Sequence, residues 1–287
     1  MKYFEVKFTI SPFSADAADL LASLVGEVGF ESFEETENGM KGYIQQSLYD
    51  DDALRACIEE MPFEGTSVQY HVGEAEDRDW NEQWEQEGFD PIIIGHDTLA
   101  IHDGRHLPTT ACDISVEIDA KLAFGTGTHE TTRMICSQLI ALFSEQPSCY
   151  QKVLDCGTGT GILSICALKL GAKEAVGYDI DEWSADNARH NAVINQVDAH
   201  FTSLLGDAQI LTTVHDTFDI VMANINRNIL LADMPSFVEK MHPGSILILS
   251  GFYTTDCDVL NAKAHSLGLS SLSQQSDKDW ACMVFKY

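Results

Sequence analysis

The sequence predicts a mostly parallel α/β domain preceded by a smaller α+β domain, and three observations predict it. From Lys152 onward, apolar strand-like runs alternate with helical runs, which means a parallel sheet with helices on both faces. One of these runs, Val153-Leu-Asp-Cys156, leads straight into Gly157-Thr-Gly-Thr-Gly161 and then an apolar helix. Ahead of both, residues 1–73 divide into six short elements of a different pattern, and 287 residues suit two domains.

The first element alternates like a strand over Tyr3–Ile10, and a helix follows from Ser14 with apolar residues at Leu20, Leu21, Leu24, Val25 and Val28. Ser14 suits its N-cap and Gly29 its stop. Strands over Phe30–Thr36 and Met40–Ser47 are expected to meet at Asn38-Gly39, a dipeptide that tolerates the positive φ angles of a tight hairpin. A second helix places Ala53, Leu54, Cys57, Ile58 and Met61 on one face, and a last strand spans Ser67–Val72. The order β-α-β-β-α-β is that of a ferredoxin-like α+β domain. Residues 74–90 read as an acidic linker helix carrying Trp80 and Trp84 one turn apart, a pair more often packed on a flanking domain than used as a partner stripe.

Residues 91–287 begin with short strands at Ile92–Ile94, Leu99–His102 and Ser115–Ile118, then a helix through Phe143. Strands at Lys152–Cys156, Ala175–Ile180, His200–Leu205, Phe218–Ile225 and Ser245–Ser250 alternate with helices at Ile162–Leu170, Ser184–Asn195, Ile229–Met241 and Asp256–Leu267. Ser270–Gln275 and Trp280–Lys286 stand too close for a helical crossover and predict an antiparallel edge.

Composition narrows the function. The formal net charge is −28, and residues 1–73 hold 14 acidic against 4 basic residues. A field of that sign repels phosphate backbones and attracts basic partners, so a direct nucleic-acid substrate is not expected. A ferredoxin-like sheet can bind RNA, but Met40-Lys-Gly-Tyr-Ile-Gln-Gln46 offers a single aromatic in acidic surroundings. There is no apolar run of membrane-spanning length, and the alternating start is unlike a secretory signal, so a cytoplasmic protein is expected. Eight scattered cysteines without a Cys-x-x-Cys pair suggest reduced thiols and no metal site.

The glycine loop selects a ligand class. Its strand-loop-helix context lets the backbone approach a ligand, beside the free N–H groups of a helix start. A dinucleotide fingerprint would need a small residue where Ile162 stands, and a P-loop would need a lysine after Gly161. What remains is Asp155-x-Gly157-x-Gly159-x-Gly161, which resembles the first motif of Rossmann-like class I methyltransferases that use S-adenosyl-L-methionine. Gly177-Tyr-Asp-Ile-Asp181 adds a carboxylate, Asp179, at the next strand end, able to accept both ribose hydroxyls. The fourth strand ends in Asn224-Ile-Asn226 instead of the Asn-Pro-Pro-Tyr common in amino-group methyltransferases.

A second glycine stretch, Leu122-Ala-Phe-Gly-Thr-Gly-Thr-His-Glu-Thr-Thr132, makes the likeness specific. With the Asp155 loop, Gly177-x-Asp-Ile-Asp181, Val221-x-Ala-Asn-Ile225 and the Asp79-Trp80 linker, it resembles the ribosomal protein L11 methyltransferase (PrmA) family over nearly the whole chain. The resemblance implies a seven-stranded, mostly parallel sheet with an antiparallel edge, and a front domain that recognises a basic ribosomal protein, L11. It implies methyl transfer to lysine side chains and the terminal α-amine; separately from the resemblance, a monomer is expected. Cofactor contacts would fall on Phe124, Thr132, Asp155, Gly157, Gly159, Asp179, Ile180 and Asn224, with Asn224 and Ile225 positioning the amine. Another basic protein or a small amine is the alternative substrate. Two positions depart from the family pattern: Glu130 stands where it has proline and Asn226 where it has leucine. His129 admits two roles, a general base or a helix cap.

Overall fold

The computed structural model describes residues 3–30, 32–36, 38–46, 48–59, 66–74, 88–120, 125–146 and 148–287. Its contacts divide the chain into two units, Met1–Glu82 and Gln83–Tyr287. Of the linker helix expected over residues 74–90, residues 75–87, with Trp80 and Trp84, lie outside the described residues, as does Phe124.

In the first unit, β1 (Tyr3–Ser11), β2 (Ser32–Thr36), β3 (Gly39–Gln45) and β4 (Ser67–Glu74) form an antiparallel sheet in the order β2-β3-β1-β4. Helices α1 (Ala15–Glu27) and α2 (Asp51–Glu59) complete the β-α-β-β-α-β order. Ser14 caps α1 by accepting the Ala17 N–H at 3.2 Å. Period-two alternation puts Val6, Phe8 and Ile10 of β1, with Met40 and Ile44 of β3, in a core shared with Leu21, Val25 and Leu54.

The hairpin differs from expectation. Thr36 pairs with Gly39, so Gly39 is already in the ladder. Its glycine serves close approach instead of turn geometry: a Cβ there would lie 2.1 Å from the Phe8 carbonyl oxygen.

The second unit opens with β5 (Ile92–Ile94), β6 (Leu99–His102) and β7 (Ile114–Glu117), a three-stranded sheet, followed by α3 (Glu130–Glu145). Next come β8 (Lys152–Cys156), α4 (Ile162–Leu170), β9 (Glu174–Asp179), α5 (Glu182–Ile194), β10 (Phe201–Leu205) and β11 (Phe218–Asn224). The chain closes with α6 (Arg227–Glu239), β12 (Met241–Tyr253), α7 (Cys257–Ser266), β13 (Ser270–Asp277) and β14 (Trp280–Lys286). The seven-stranded sheet has the order β10-β9-β8-β11-β12-β14-β13, parallel except where β14 pairs antiparallel with β12 and β13. One face packs on α3, α4 and α5, the other on α6 and α7, giving two apolar cores.

Strand β12 is twice the length that Ser245–Ser250 suggests. Pro243-Gly244 reads as a break in the sequence, yet the ladder absorbs it in a register shift between Phe218 and Ile220. Beyond it, β14 extends the strand as far as the Tyr253–Trp280 pair. Tertiary pairing overrides the local breaker.

Candidate active site

The sheet order reverses at β8, whose neighbours β9 and β11 continue in opposite directions, and ligands of open α/β sheets bind in the crevice beyond the strand ends at such a point. Around that crevice stand the glycine loop after β8, Asp179 at the end of β9, Leu205 at the end of β10 and Asn224 at the end of β11.

Gly157, Gly159 and Gly161 have φ of 74°, 52° and 80°, left-handed conformations that favour glycine. The Gly157 and Thr158 N–H groups both donate to the Tyr178 carbonyl at 2.9 Å, folding the loop back onto β9. Gly161, the N-cap of α4, brings no side-chain acceptor to the helix start. Asp155 takes part of that role from the strand: its Oδ2 accepts the Thr158 hydroxyl at 2.9 Å, the Ser164 hydroxyl at 2.9 Å and the Ser164 N–H at 3.3 Å. The carboxyl is fully buried, its Oδ1 has no partner, and burial raises its pKa to about 6 against the lowering effect of those hydrogen bonds. Asp179 is half-buried, accepting the Gly159 N–H at 2.9 Å on one oxygen and the Asp181 N–H at 3.1 Å on the other. Each oxygen keeps a lone pair for a further donor. Ile180 beside it is 72% exposed, an apolar face bare of partners from the core.

The two Gly-Thr-Gly-Thr stretches touch. Thr160 in the loop donates its hydroxyl to the Gly125 carbonyl at 2.6 Å, and a Cβ on Gly125 would lie 2.9 Å from that hydroxyl. A ladder that sequence reading missed holds the strand leading into this stretch. Asn195 bridges both backbone groups of Glu117, at 3.0 and 2.7 Å, and Asn187 donates to the Asp119 carbonyl at 2.9 Å. Asn191, fully buried, accepts the Asp119 N–H at 2.9 Å and donates to the Thr160 carbonyl at 3.0 Å. The signal was available: asparagine recurs every four residues, which stacks the three side chains on one helix face. Asn191→Ala strands two backbone groups, so it is expected to destabilise the protein by about 1–3 kcal/mol for each, read as a fall in the urea midpoint.

Asn224 sits at the centre. Its Nδ2 donates to the Thr132 hydroxyl at 3.3 Å, and its Oδ1 is buried without a partner. Thr132, itself buried, is in the first turn of α3. Ile225 is wedged between two glycines: a Cβ on Gly157 would come within 2.5 Å of its Cγ2, and one on Gly251 within 2.6 Å of its carbonyl oxygen. Asn226 is the N-cap of α6, accepting the Asn228 and Ile229 N–H groups at 3.1 Å each, which accounts for a polar residue there. His129 is the N-cap of α3, its Nδ1 2.9 Å from the Thr131 hydroxyl and 3.3 Å from the Thr131 nitrogen, and its ring meets Trp280 edge-on. Of its two expected roles, the geometry displays the cap.

The residues fit a nucleoside-sulfonium cofactor. Two buried acceptors, Asp155 Oδ1 and Asn224 Oδ1, await donors, and the positive-φ glycines form a cradle that side chains would fill.

Comparison with known proteins agrees with this chemistry. A family model described as ribosomal protein L11 methyltransferase (PrmA) matches residues 18–287. Proteins called ribosomal protein L11 methyltransferase from Phocaeicola vulgatus and Bacteroides fragilis are 42% and 44% identical over 285 residues, 99% of each chain. The crystal structure of a ribosomal protein L11 methylase from Lactobacillus delbrueckii subsp. bulgaricus superposes with a TM-score of 0.61 at 26% identity, covering 69% of this chain and 98% of that one.

Proposed function

The chain belongs to the ribosomal protein L11 methyltransferase family, and we propose that it methylates lysine side chains and the terminal α-amine of ribosomal protein L11. S-adenosylmethionine, when bound, supplies the activated methyl group. The glycine loop and Asp155 would hold its methionine end, Asp179 its ribose hydroxyls and Ile180 one face of its base. Thr132 would close the site from α3.

What the protein must add is an amine, neutral and aimed. Lysine in water has a pKa of about 10.4, and a desolvated pocket favours the uncharged form. The observation that carries the reading is the Asn224 amide: one end is anchored on Thr132 and the other is a buried acceptor without a partner. An amine N–H donated to that oxygen leaves the nitrogen lone pair directed away from Asn224, while water carries off the released proton. Holding reacting groups in line can lower a barrier by up to about 7–11 kcal/mol, so positioning suffices without a dedicated base.

In this reading residues 1–73 recognise the substrate, residues 74–90 link and residues 91–287 transfer the methyl group. The net charge of −28 favours a basic partner over nucleic acid. The protein works as a monomer in the cytoplasm; no helix among the described residues is long and apolar enough to cross a membrane. Thermal-shift titration tests the cofactor class: S-adenosylhomocysteine should raise the melting temperature and NAD should not, and the reverse pattern would overturn the reading.

A further inference from the structure

The antiparallel edge of the large sheet reaches over to the start of α3. Strands β13 and β14 are joined at Lys278-Asp279, between the paired Asp277 and Trp280, with Lys278 at φ 53°. From this tip the Lys278 ammonium contacts the Glu130 carboxylate, and Asp277 lies 3.1 Å from Arg133. Arg133 also sits 3.5 Å from Glu130 and donates to the Thr128 carbonyl. Two residues back along β13, Gln275 donates to the Met134 carbonyl at 3.0 Å. The same tip carries Trp280, stacked on Tyr253 at 4.4 Å and edge-on to His129 at 4.7 Å. Apart from the Tyr253 stack, these contacts converge on residues 128–134, the segment that contains Thr132, the anchor of Asn224.

We infer that the hairpin tip clamps the first turn of α3 through Glu130–Lys278 and Arg133–Asp277, making Glu130 and Lys278 positioning residues for methyl transfer. The inference rests on Asn224 as the group that orients the amine. Neither residue touches that amide; they act through the helix turn and Thr132. Single exposed ion pairs contribute little, but these share Arg133 and Glu130 in a network, and the Glu130 side chain is only 12% exposed. Its carboxyl is held at about 2 by the Lys278 hydrogen bond, its own N–H and the nearby cations, so the pairing persists throughout the neutral range.

The position also offers a way to replace the clamp. Glu130 is the first residue of α3, where proline is favoured because its fixed φ suits a helix start and its missing N–H is not needed by the helix. His129 before it, at ψ 143°, already has the extended conformation that a following proline requires. A proline at 130 therefore fixes the turn without Lys278.

The test compares wild type, Lys278→Ala, Glu130→Pro and the double variant in the full chain. It reads kcat, S-adenosylhomocysteine affinity and backbone hydrogen exchange over residues 130–134. Lys278→Ala should lower kcat by about tenfold, since small misplacements of reacting groups cost up to about 10²-fold. Exchange should quicken while ligand affinity stays within about twofold. Adding Glu130→Pro should restore both kcat and slow exchange. At about 1 M salt, where screening acts within about 3 Å, wild-type kcat should fall and that of Glu130→Pro should hold. If Glu130→Pro does not fold, the charge-reversed pair Glu130→Lys with Lys278→Glu takes its place as the rescue. Unchanged kcat and exchange in Lys278→Ala, or a loss that neither rescue restores, overturns the clamp. A wild type that methylates nothing refutes the underlying reading instead, and the exchange measurements then decide the clamp alone.

Discussion

Replacing Asn224 by alanine is expected to lower kcat for methyl transfer by at least about 10²-fold while leaving S-adenosylhomocysteine affinity within a few-fold of wild type. The amide has two ends with different duties. Nδ2 is tied to Thr132 at 3.3 Å, which fixes the rotamer, and Oδ1 is left buried without a partner. An acceptor held in this way costs stability unless a donor arrives, and under the proposed function the incoming amine is that donor. Alanine removes the acceptor but keeps the glycine loop and Asp179, so binding of the cofactor product should survive. Thr132→Val is the companion variant: it preserves shape, removes the anchor, and should give a smaller fall in kcat. Equal losses of turnover and ligand affinity in Asn224→Ala would refute its assignment as the amine-positioning group.

The second large effect concerns Asp155. Its folded-state pKa, about 6, lies above the ordinary 3.8 because the carboxyl is buried. The stability linked to this group is therefore complete below about 3.8, and it is lost as the pH rises through about 6. Above neutrality the ligand-free protein carries a buried carboxylate whose Oδ1 has no partner. A ligand with an ammonium group offsets that charge. Asp155→Asn should accordingly melt at a higher temperature than wild type when both are ligand-free at pH 8, with the difference shrinking towards pH 5. Its affinity for S-adenosylhomocysteine should fall by about tenfold or more, the scale expected for losing a hydrogen bond to a charged group. A variant that is less stable at pH 8 and binds normally would show that Asp155 serves only the loop.

Much of this arrangement could be read from the sequence because it depends on local rules. Gly157-Thr-Gly-Thr-Gly161 announces itself by glycine spacing between an apolar strand and an apolar helix, and the strand-helix alternation after Lys152 predicts a parallel sheet. The closing antiparallel pair follows from the short gap between β13 and β14. Features set by long-range partners were not legible. Pro243-Gly244 stops a strand by local propensity, and only pairing with β11, where Met241 and Ile246 meet Phe218 and Ile220, carries β12 past it. Gly39 has the sequence of a turn glycine, but its neighbour in space is Phe8, 31 residues away. Asn191 of α5 and Asn195 at its C-cap meet residues 117–119 and Thr160, partners that no periodicity identifies. Glu130 and Lys278 are 148 residues apart, and their pairing depends on the sheet edge folding over α3.

The central claim is methyl transfer to one basic ribosomal protein. The direct measurement is incubation of the full-length chain with methyl-labelled S-adenosylmethionine and the separated proteins of the large ribosomal subunit. Label is expected in L11 alone, on lysine side chains and the terminal amine, incorporated at least about 10²-fold more slowly with Asn224→Ala. Label spread over several basic proteins, or confined to a protein other than L11, would contradict it.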